Sequence, residues 1–233
     1  MLEGLRQAVC EANRQLPAHA LVLLTWGNAS GIDRESGLFV IKPSGVSYDC
    51  LTPEDMVVVD LDGQVVEGRL RPSSDTPTHA ALYRLFPDIG GCVHTHSTWA
   101  AAWAQAGRPI PCYGTTHADD FYGSIPCVRP LAGEEIRNAY EENTGLVIAG
   151  HFREKQLDPS AVPGALCQPH GVFTWGKDVA EAVQHAVVLE ECAKMAAITE
   201  MLNKNASPVS QELLDKHYLR KHGEHATYGQ QGP

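Results

Sequence analysis

The chain has 233 residues, of which 43% are hydrophobic, so it can bury the core of one large domain and is not expected to be disordered. Its formal net charge of −10 argues against a nucleic-acid partner. The seven cysteines are scattered and form no Cys-x-x-Cys pair, which is typical of a reducing compartment. The N-terminus does not resemble a leader, and no apolar run approaches the ~20 residues of a membrane span. We therefore expect a cytoplasmic protein without a membrane partner.

Hydrophobic periodicity divides the chain into helices and strands. Helical spacing and helix-start signals predict helices over 2–16, 76–86, 97–106, from 133 onward, 178–202 and 210–222. Short apolar runs bounded by turn residues predict strands over 21–25, 38–41, 56–60, 65–67, 91–96, 110–113, 125–128 and 165–168. Strands arrive both as a hairpin and between helices. The sequence therefore predicts one α/β domain with a mixed or mostly antiparallel sheet and helices on both sides.

Two histidines at the end of an apolar strand are the first candidates for chemistry. His94 and His96 are two residues apart, and such residues point to the same face of a strand. With Asp75 and His170 they form a ligand set typical of zinc, for which metal–nitrogen distances of about 2.0–2.1 Å are expected. The alternative is a chance pair on a surface strand, with Asp75 as a helix-terminal acid beside Thr76-Pro77 and His170 as a turn histidine.

Three turns rich in small residues are candidates for an anion site. Glycine lets backbone N–H groups approach phosphate oxygens, and hydroxyls add further donors. The turns are Trp26-Gly27-Asn28-Ala29-Ser30 and Lys42-Pro43-Ser44-Gly45, each read as the end of a strand, and Arg71-Pro72-Ser73-Ser74-Asp75, which precedes a helix. Each alone is an ordinary loop. Because Ser73 and Ser74 directly precede Asp75, one substrate could contact both the hydroxyls that bind its phosphate and a metal.

A further loop, 115–123, concentrates titratable groups and suits acid–base chemistry. On its own it is also compatible with a plain polar loop. Asp119 and Asp120 are adjacent within it, so the choice between them as a base stays open.

Several of these segments together resemble the class II aldolase/adducin family, and within it the sugar-phosphate epimerases. The matching segments are Leu24–Ser30, Ile41–Val46, Pro72–His79, Val93–Ser97, Gly114–Asp119, Trp175–Lys177 and Leu214–Gly223. They cover nearly the whole chain in order. The resemblance implies a three-layer α/β/α fold for a single domain over 1–233, with a C-terminal helix and tail (about 210–233) closing over the active site. It also implies a homotetramer with active sites between subunits.

The resemblance also implies roles for individual residues. It assigns His94, His96 and His170 as ligands of zinc, replaceable by manganese or cobalt, with Asp75 at the nearby carboxylate position. Whether Asp75 ligates the metal or stands beside it stays open. It assigns substrate phosphate binding to Gly27, Asn28, Lys42, Ser44, Gly45, Ser73 and Ser74. Asp119 and Tyr228 correspond to an acid/base pair, and Glu141 and His217 to residues near the substrate.

The activity that the resemblance implies is the interconversion of L-ribulose 5-phosphate and D-xylulose 5-phosphate in pentose catabolism, by the arabinose route or a related one. The reaction would break and re-form the C3–C4 bond. An alternative is a sugar-phosphate aldolase of the same family, which would release both fragments. A third hypothesis, a non-catalytic assembly module, is disfavoured because such modules are expected to lack the three histidines.

Overall fold

An eight-stranded sheet forms the centre of the part of the chain that the computed structural model describes, residues 2–223 and 226–227. Its strands are β1 (Asn28–Asp33), β2 (Leu38–Ile41), β3 (Val57–Asp60), β4 (Val65–Glu67), β5 (Gly91–Thr95), β6 (Cys127–Val128), β7 (Gly164–Cys167) and β8 (Gly171–Gly176). Their order across the sheet is β4-β3-β2-β1-β5-β8-β7-β6. Within these residues, only β6 and β7 pair in parallel. The mostly antiparallel sheet expected from the sequence is confirmed.

Helices cover both faces of this sheet. They are α1 (Glu3–Ala18), α2 (Thr76–Leu85), α3 (Thr98–Ala106), α4 (Thr115–Ala118), α5 (Gly133–Arg137), α6 (Tyr140–Lys155), α7 (Val179–Leu202) and α8 (Gln211–His222). Successive side chains of a strand point to opposite faces. Phe39 and Ile41 of β2 accordingly enter a core with α2 and α6, whereas Val40 enters a core with α1 and the first half of α7. This alternation produces the three-layer α/β/α architecture.

Several secondary-structure predictions differ from the structure. The predicted strand 21–25 is wrong: the segment is a turn in which Leu24 has a φ of 53° and is 76% exposed, because the chain reverses there between α1 and β1. The predicted strand 110–113 is reduced to one bridge between Ile110 and Ile125. The turn that contains Asn28 does not end a strand but leads into β1. The helix predicted from 133 onward is divided into α5 and α6, and β8 was not predicted at all.

No helix within the described residues combines the length and apolar composition that a membrane span requires.

Candidate active site at the edge of the sheet

The end of β5 presents two imidazoles to one point. His94 pairs with Phe173 of β8, and its Nδ1 lies 2.9 Å from the Val172 carbonyl oxygen. A carbonyl oxygen only accepts, so Nδ1 carries the proton and Nε2 keeps its lone pair. That Nε2 lies 3.0 Å from Nε2 of His96. A backbone carbonyl that fixes a histidine tautomer in this way is typical of metal-binding imidazoles.

The turn between β7 and β8 brings in the third imidazole. The ring of His170 lies 4.7 Å from that of His94 and 4.9 Å from that of His96, centroid to centroid. One nitrogen from each of the three rings lies within 4.8 Å of the others. Gly171 permits this approach, because a Cβ there would lie 2.7 Å from the Thr95 carbonyl oxygen and 2.9 Å from Cδ2 of His96.

Burial keeps these imidazoles ready to donate lone pairs. Desolvation lowers the pKa of His170 to about 4 and that of His96 below its ordinary value. Nδ1 of His170 is buried and has no hydrogen-bond partner among the described residues. Three converging ring nitrogens, one of them on the exposed ring of His96, fit a divalent metal ion such as zinc. The arrangement therefore fits a metal.

Asp75 lies beside this group, at the N-terminal end of α2. The Asn28 amide donates a hydrogen bond of 2.7 Å to its Oδ2. Burial opposes its ionisation, but nearby His94 and His79 and the Asn28 hydrogen bond outweigh burial and hold the pKa of Asp75 below its usual value. Its oxygens do not belong to the group of converging ring nitrogens, so its role as a ligand stays a prediction.

A cavity of about 380 Å³ joins the histidines to the three small-residue turns. Of the residues expected around a metal and a phosphate, it is lined by Gly27, Asn28, Lys42, Ser44, Gly45, Ser73, Ser74, Asp75, His94, His96 and His170. Two of the turns are fastened together by backbone hydrogen bonds, from the Ser44 N–H to the Arg71 carbonyl and from the Ser73 N–H to the Lys42 carbonyl. Segments far apart in sequence thus share one wall.

Lys42 places a cation in that wall without an ion-pair partner among the described residues. Its ammonium group donates to the carbonyls of Pro43 and Val46 at 3.2 and 2.7 Å and lies 4.9 Å from the centre of the Tyr48 ring. Desolvation lowers the pKa of Lys42 to about 8. The Tyr48 hydroxyl in turn donates to the Gly27 carbonyl at 2.7 Å. A buried cation held in this way favours an anionic ligand.

The expected acid–base residues lie elsewhere in the chain. Asp119 at the end of α4 accepts hydrogen bonds from Arg220 and His217 of α8, each at 2.9 Å. Burial raises the pKa of Asp119, but these hydrogen bonds dominate and the net shift is downward. Neither Asp119 nor His217 lines the cavity of its own chain, and Tyr228 lies outside the described residues. Asp120 pairs with Lys221 at 2.6 Å.

Glu141 does line the cavity, together with Trp26 and Pro43 of the predicted turns. Sequence reasoning did not name two further lining residues, Thr25 and Tyr140, as candidates. Thr25 adjoins a predicted turn, so adjacency could have indicated it. Tyr140 adjoins Glu141, but it begins a helix whose start the sequence did not predict.

Comparison with known proteins agrees with this geometry. Residues 7–197 match the sequence model of the class II aldolase and adducin N-terminal domain. The chain belongs to the class II aldolase/adducin family. Two relatives, both named L-ribulose-5-phosphate 4-epimerase UlaF, come from Salmonella paratyphi A and Salmonella typhi. Each is 56% identical over 229 residues, which is 98% of this chain and all of the relative.

Solved structures of the family share the fold. An L-fuculose 1-phosphate aldolase superimposes with a TM-score of 0.77 at 23% identity, over 92% of this chain and 94% of the other. The L-fuculose-1-phosphate aldolase of Thermus thermophilus gives a TM-score of 0.67 at 25% identity, over 87% and 98%. Family and fold, as expected from the sequence motifs, are confirmed.

Proposed function

We propose that the protein is a metal-dependent epimerase that interconverts L-ribulose 5-phosphate and D-xylulose 5-phosphate. The observation that carries this proposal is the single cavity in which three converging histidines face glycine- and serine-rich turns. Such a cavity suits a ligand with a phosphate at one end and neighbouring carbonyl and hydroxyl oxygens in its middle. The relatives that are 56% identical carry the name of this enzyme.

Epimerisation at C4 needs bond cleavage, because the carbinol hydrogen at C4 is not acidic. Breaking the C3–C4 bond leaves an enediolate of dihydroxyacetone and glycolaldehyde phosphate, and rotation of the aldehyde before the bond re-forms inverts C4. A divalent cation held by the three histidines supplies a Lewis acid that stabilises the developing negative charge. We propose zinc, with manganese or cobalt as substitutes.

The phosphate contacts have a second task in this reaction, which is to keep the aldehyde from leaving. We assign them to Gly27, Asn28, Lys42, Ser44, Gly45, Ser73 and Ser74. Lys42 supplies charge, and the hydroxyls of Ser44 and Ser74 supply directed donors. Asn28 contributes indirectly as well, because it orients Asp75 beside the reacting oxygens. An enzyme that holds both fragments re-forms the bond before release.

Proton transfer at the C4 oxygen requires groups on two sides, and we assign it to Asp119 and Tyr228, with His217 and Glu141 nearby. Asp119 and His217 lie outside the cavity of their own chain. We therefore propose that a neighbouring subunit of a homotetramer supplies them, and that the segment 210–233 closes over that neighbour's site.

The reaction itself is tested with zinc-loaded protein and L-ribulose 5-phosphate. We expect D-xylulose 5-phosphate to form, followed by a coupled enzyme assay, without free glycolaldehyde phosphate. Release of that aldehyde as a stoichiometric product would reject the epimerase and favour an aldolase of the same family.

The shared site is tested by mixing two inactive variants. His96→Ala removes a residue of the cavity, and Asp119→Asn removes the carboxylate that accepts from Arg220 and His217 of α8. If the two groups come from different subunits, tetramers reassembled from both variants contain some intact sites and regain activity. Persistent inactivity of verified mixed tetramers would reject the shared site.

The cellular setting is part of the same proposal. All seven cysteines are free thiols, which suits a reducing cytoplasm. Both substrates are pentulose phosphates, which places the reaction in pentose catabolism, with arabinose or a related sugar as the source.

A further inference from the structure

The residues of the site follow the edge of the sheet in a fixed spatial order. The turn after β2 and the start of β1 carry residues that we assign to phosphate binding. β5 carries His94, and the turn between β7 and β8 carries His170. Neighbouring strands are about 5 Å apart. A ligand that reaches from the turns to the histidines therefore lies across the strands and points toward β7.

Tyr140 stands at the far end of this line. It lines the main cavity together with His170, and its ring centroid lies 5.9 Å from that of His170. It also lines a second cavity of about 100 Å³, whose walls include Cys167 of β7 and Val128 of β6. Tyr140 and His170 line both cavities and thus separate the site from the space beyond it.

The backbone that carries Tyr140 is held firmly. The Thr78 hydroxyl of α2 donates to the Glu141 carbonyl at 2.5 Å, and the Thr144 hydroxyl donates to the Tyr140 carbonyl at 2.9 Å. The phenol oxygen, in contrast, makes no hydrogen bond to any residue between 2 and 223. A hydroxyl without a protein partner among the described residues, on a half-buried side chain that lines the cavity, can bond a ligand there.

The substrate chemistry identifies what that ligand group is. With the phosphate at the glycine- and serine-rich turns and the C2 and C3 oxygens at the histidines, one part of a pentulose 5-phosphate remains, the C1 hydroxymethyl group. It lies beyond the histidines as seen from the phosphate, which is where Tyr140 stands. We propose that Tyr140 is a specificity-determining residue whose hydroxyl binds the C1 hydroxyl of the substrate. This inference rests on the proposed function.

The experiment compares two substrates in the wild-type protein and in Tyr140→Phe. The substrates are D-xylulose 5-phosphate and its 1-deoxy analogue, which lacks only the C1 hydroxyl. The measured quantity is the ratio of their kcat/KM values for epimerisation at C4, in protein of equal metal content. Phenylalanine keeps the ring against His170, so the variant retains the separation of the two cavities.

We expect Tyr140→Phe to lower kcat/KM for D-xylulose 5-phosphate about tenfold, mainly through KM, as the loss of one hydrogen bond predicts. For the 1-deoxy analogue kcat/KM should stay within about twofold, so the ratio falls about tenfold. Tyr113→Phe is the matched control: it removes a hydroxyl bonded to Glu200, away from the cavity, and should leave the ratio unchanged.

Equal losses for both substrates would show that the Tyr140 hydroxyl does not act through the C1 hydroxyl and would overturn the proposal, as would no loss for either. A wild-type protein that turns over neither substrate would instead reject the epimerase function, and this inference with it. The wild-type rate and the change in ratio therefore report separately on the two proposals.

Discussion

The cluster at the sheet edge and the cluster between α4 and α8 differ in whether their polar groups are paired within the protein. At the sheet edge, Oδ1 of Asn28 and Nδ1 of His170 are buried without partners among the described residues. Between α4 and α8, Asp119 is held by Arg220 and His217, and Asp120 by Lys221. Unpaired buried polar atoms cost free energy. The first cluster therefore leaves polar atoms open to a ligand, whereas the polar groups of the second are paired within the chain.

The two clusters also differ in the protonation that they favour. Burial of the imidazoles lowers the pKa of His170 and His96 and leaves their lone pairs free. At Asp119 burial acts in the opposite direction but is outweighed by Arg220 and His217, so its pKa falls and the carboxylate stays ionised. One region offers neutral donors to a cation, and the other holds a carboxylate that can accept a proton.

The largest expected effect is at the sheet edge. His96→Ala removes one of the three histidines proposed to bind the metal, so we expect metal content near zero and a loss of kcat of about 10³-fold or more. His19→Ala, an exposed histidine at the end of α1, is the control and should keep both. Metal analysis and the coupled assay measure the outcome, and an active metal-free His96→Ala protein would contradict the comparison.

The second prediction concerns the carboxylates of the α4–α8 cluster. Asp119→Asn should lose about 10²- to 10⁴-fold in kcat, the range expected for a missing general base, with metal content unchanged. Asp120→Asn should lose much less, because that carboxylate is buried against Lys221. Steady-state kinetics of the two variants decide between them. Comparable losses of kcat in the two variants would contradict the assignment of Asp119 as the catalytic and Asp120 as the structural carboxylate.

The third prediction uses the cation at the sheet edge. Lys42 has a pKa of about 8, so its charge is present below that pH and lost above it. We expect kcat/KM to fall about tenfold between pH 7 and 9 as phosphate binding weakens. Lys42→Met should start about tenfold lower and show no such fall. An alkaline decline that survives in Lys42→Met would assign it to another group.

The smallest effect is on stability alone. His117 in α4 is 3% exposed, and burial lowers its pKa to about 4, below its ordinary value in an unfolded chain. On acidification the unfolded state therefore takes up the proton first. The contribution of His117 leaves the free energy of unfolding unaffected above about pH 6.5 and lowers it by about 2 kcal/mol at pH 5. In urea titrations at pH 7.5 and 5, His117→Gln should lack this part of the decrease. An equal decrease in both proteins would refute it.

Local signals in the sequence predicted those elements whose pattern is independent of their surroundings. The strand of His94 is a continuous apolar run, and Asp62-Gly63 marks the turn between β3 and β4. Both predictions are confirmed. The first strand escaped prediction because Asn28–Asp33 is small and polar in sequence, yet almost fully buried between β2 and β5. Only the tertiary structure reveals that this segment belongs to the core.

The site shows the same division. Strand alternation predicted that His94 and His96 share a face, but spacing alone could not bring Asp75, His170 and three separate turns to one cavity; motif resemblance did. Tyr140 had no local signal, since its place depends on α6 docking on α2 through Thr78. Contacts made through long-range packing are thus the part that a single sequence does not encode in its local pattern.

The order of strands along the sheet edge also fixes the distances between the parts of the site. The glycine- and serine-rich turns and the histidines lie on neighbouring strands or at their ends. Hydrogen bonding keeps neighbouring strands about 5 Å apart, so side-chain replacement does not change the intervals between these groups. The sheet backbone thereby sets the positions of these groups, whereas the far end of the cavity depends on a single side chain, that of Tyr140 at the start of α6.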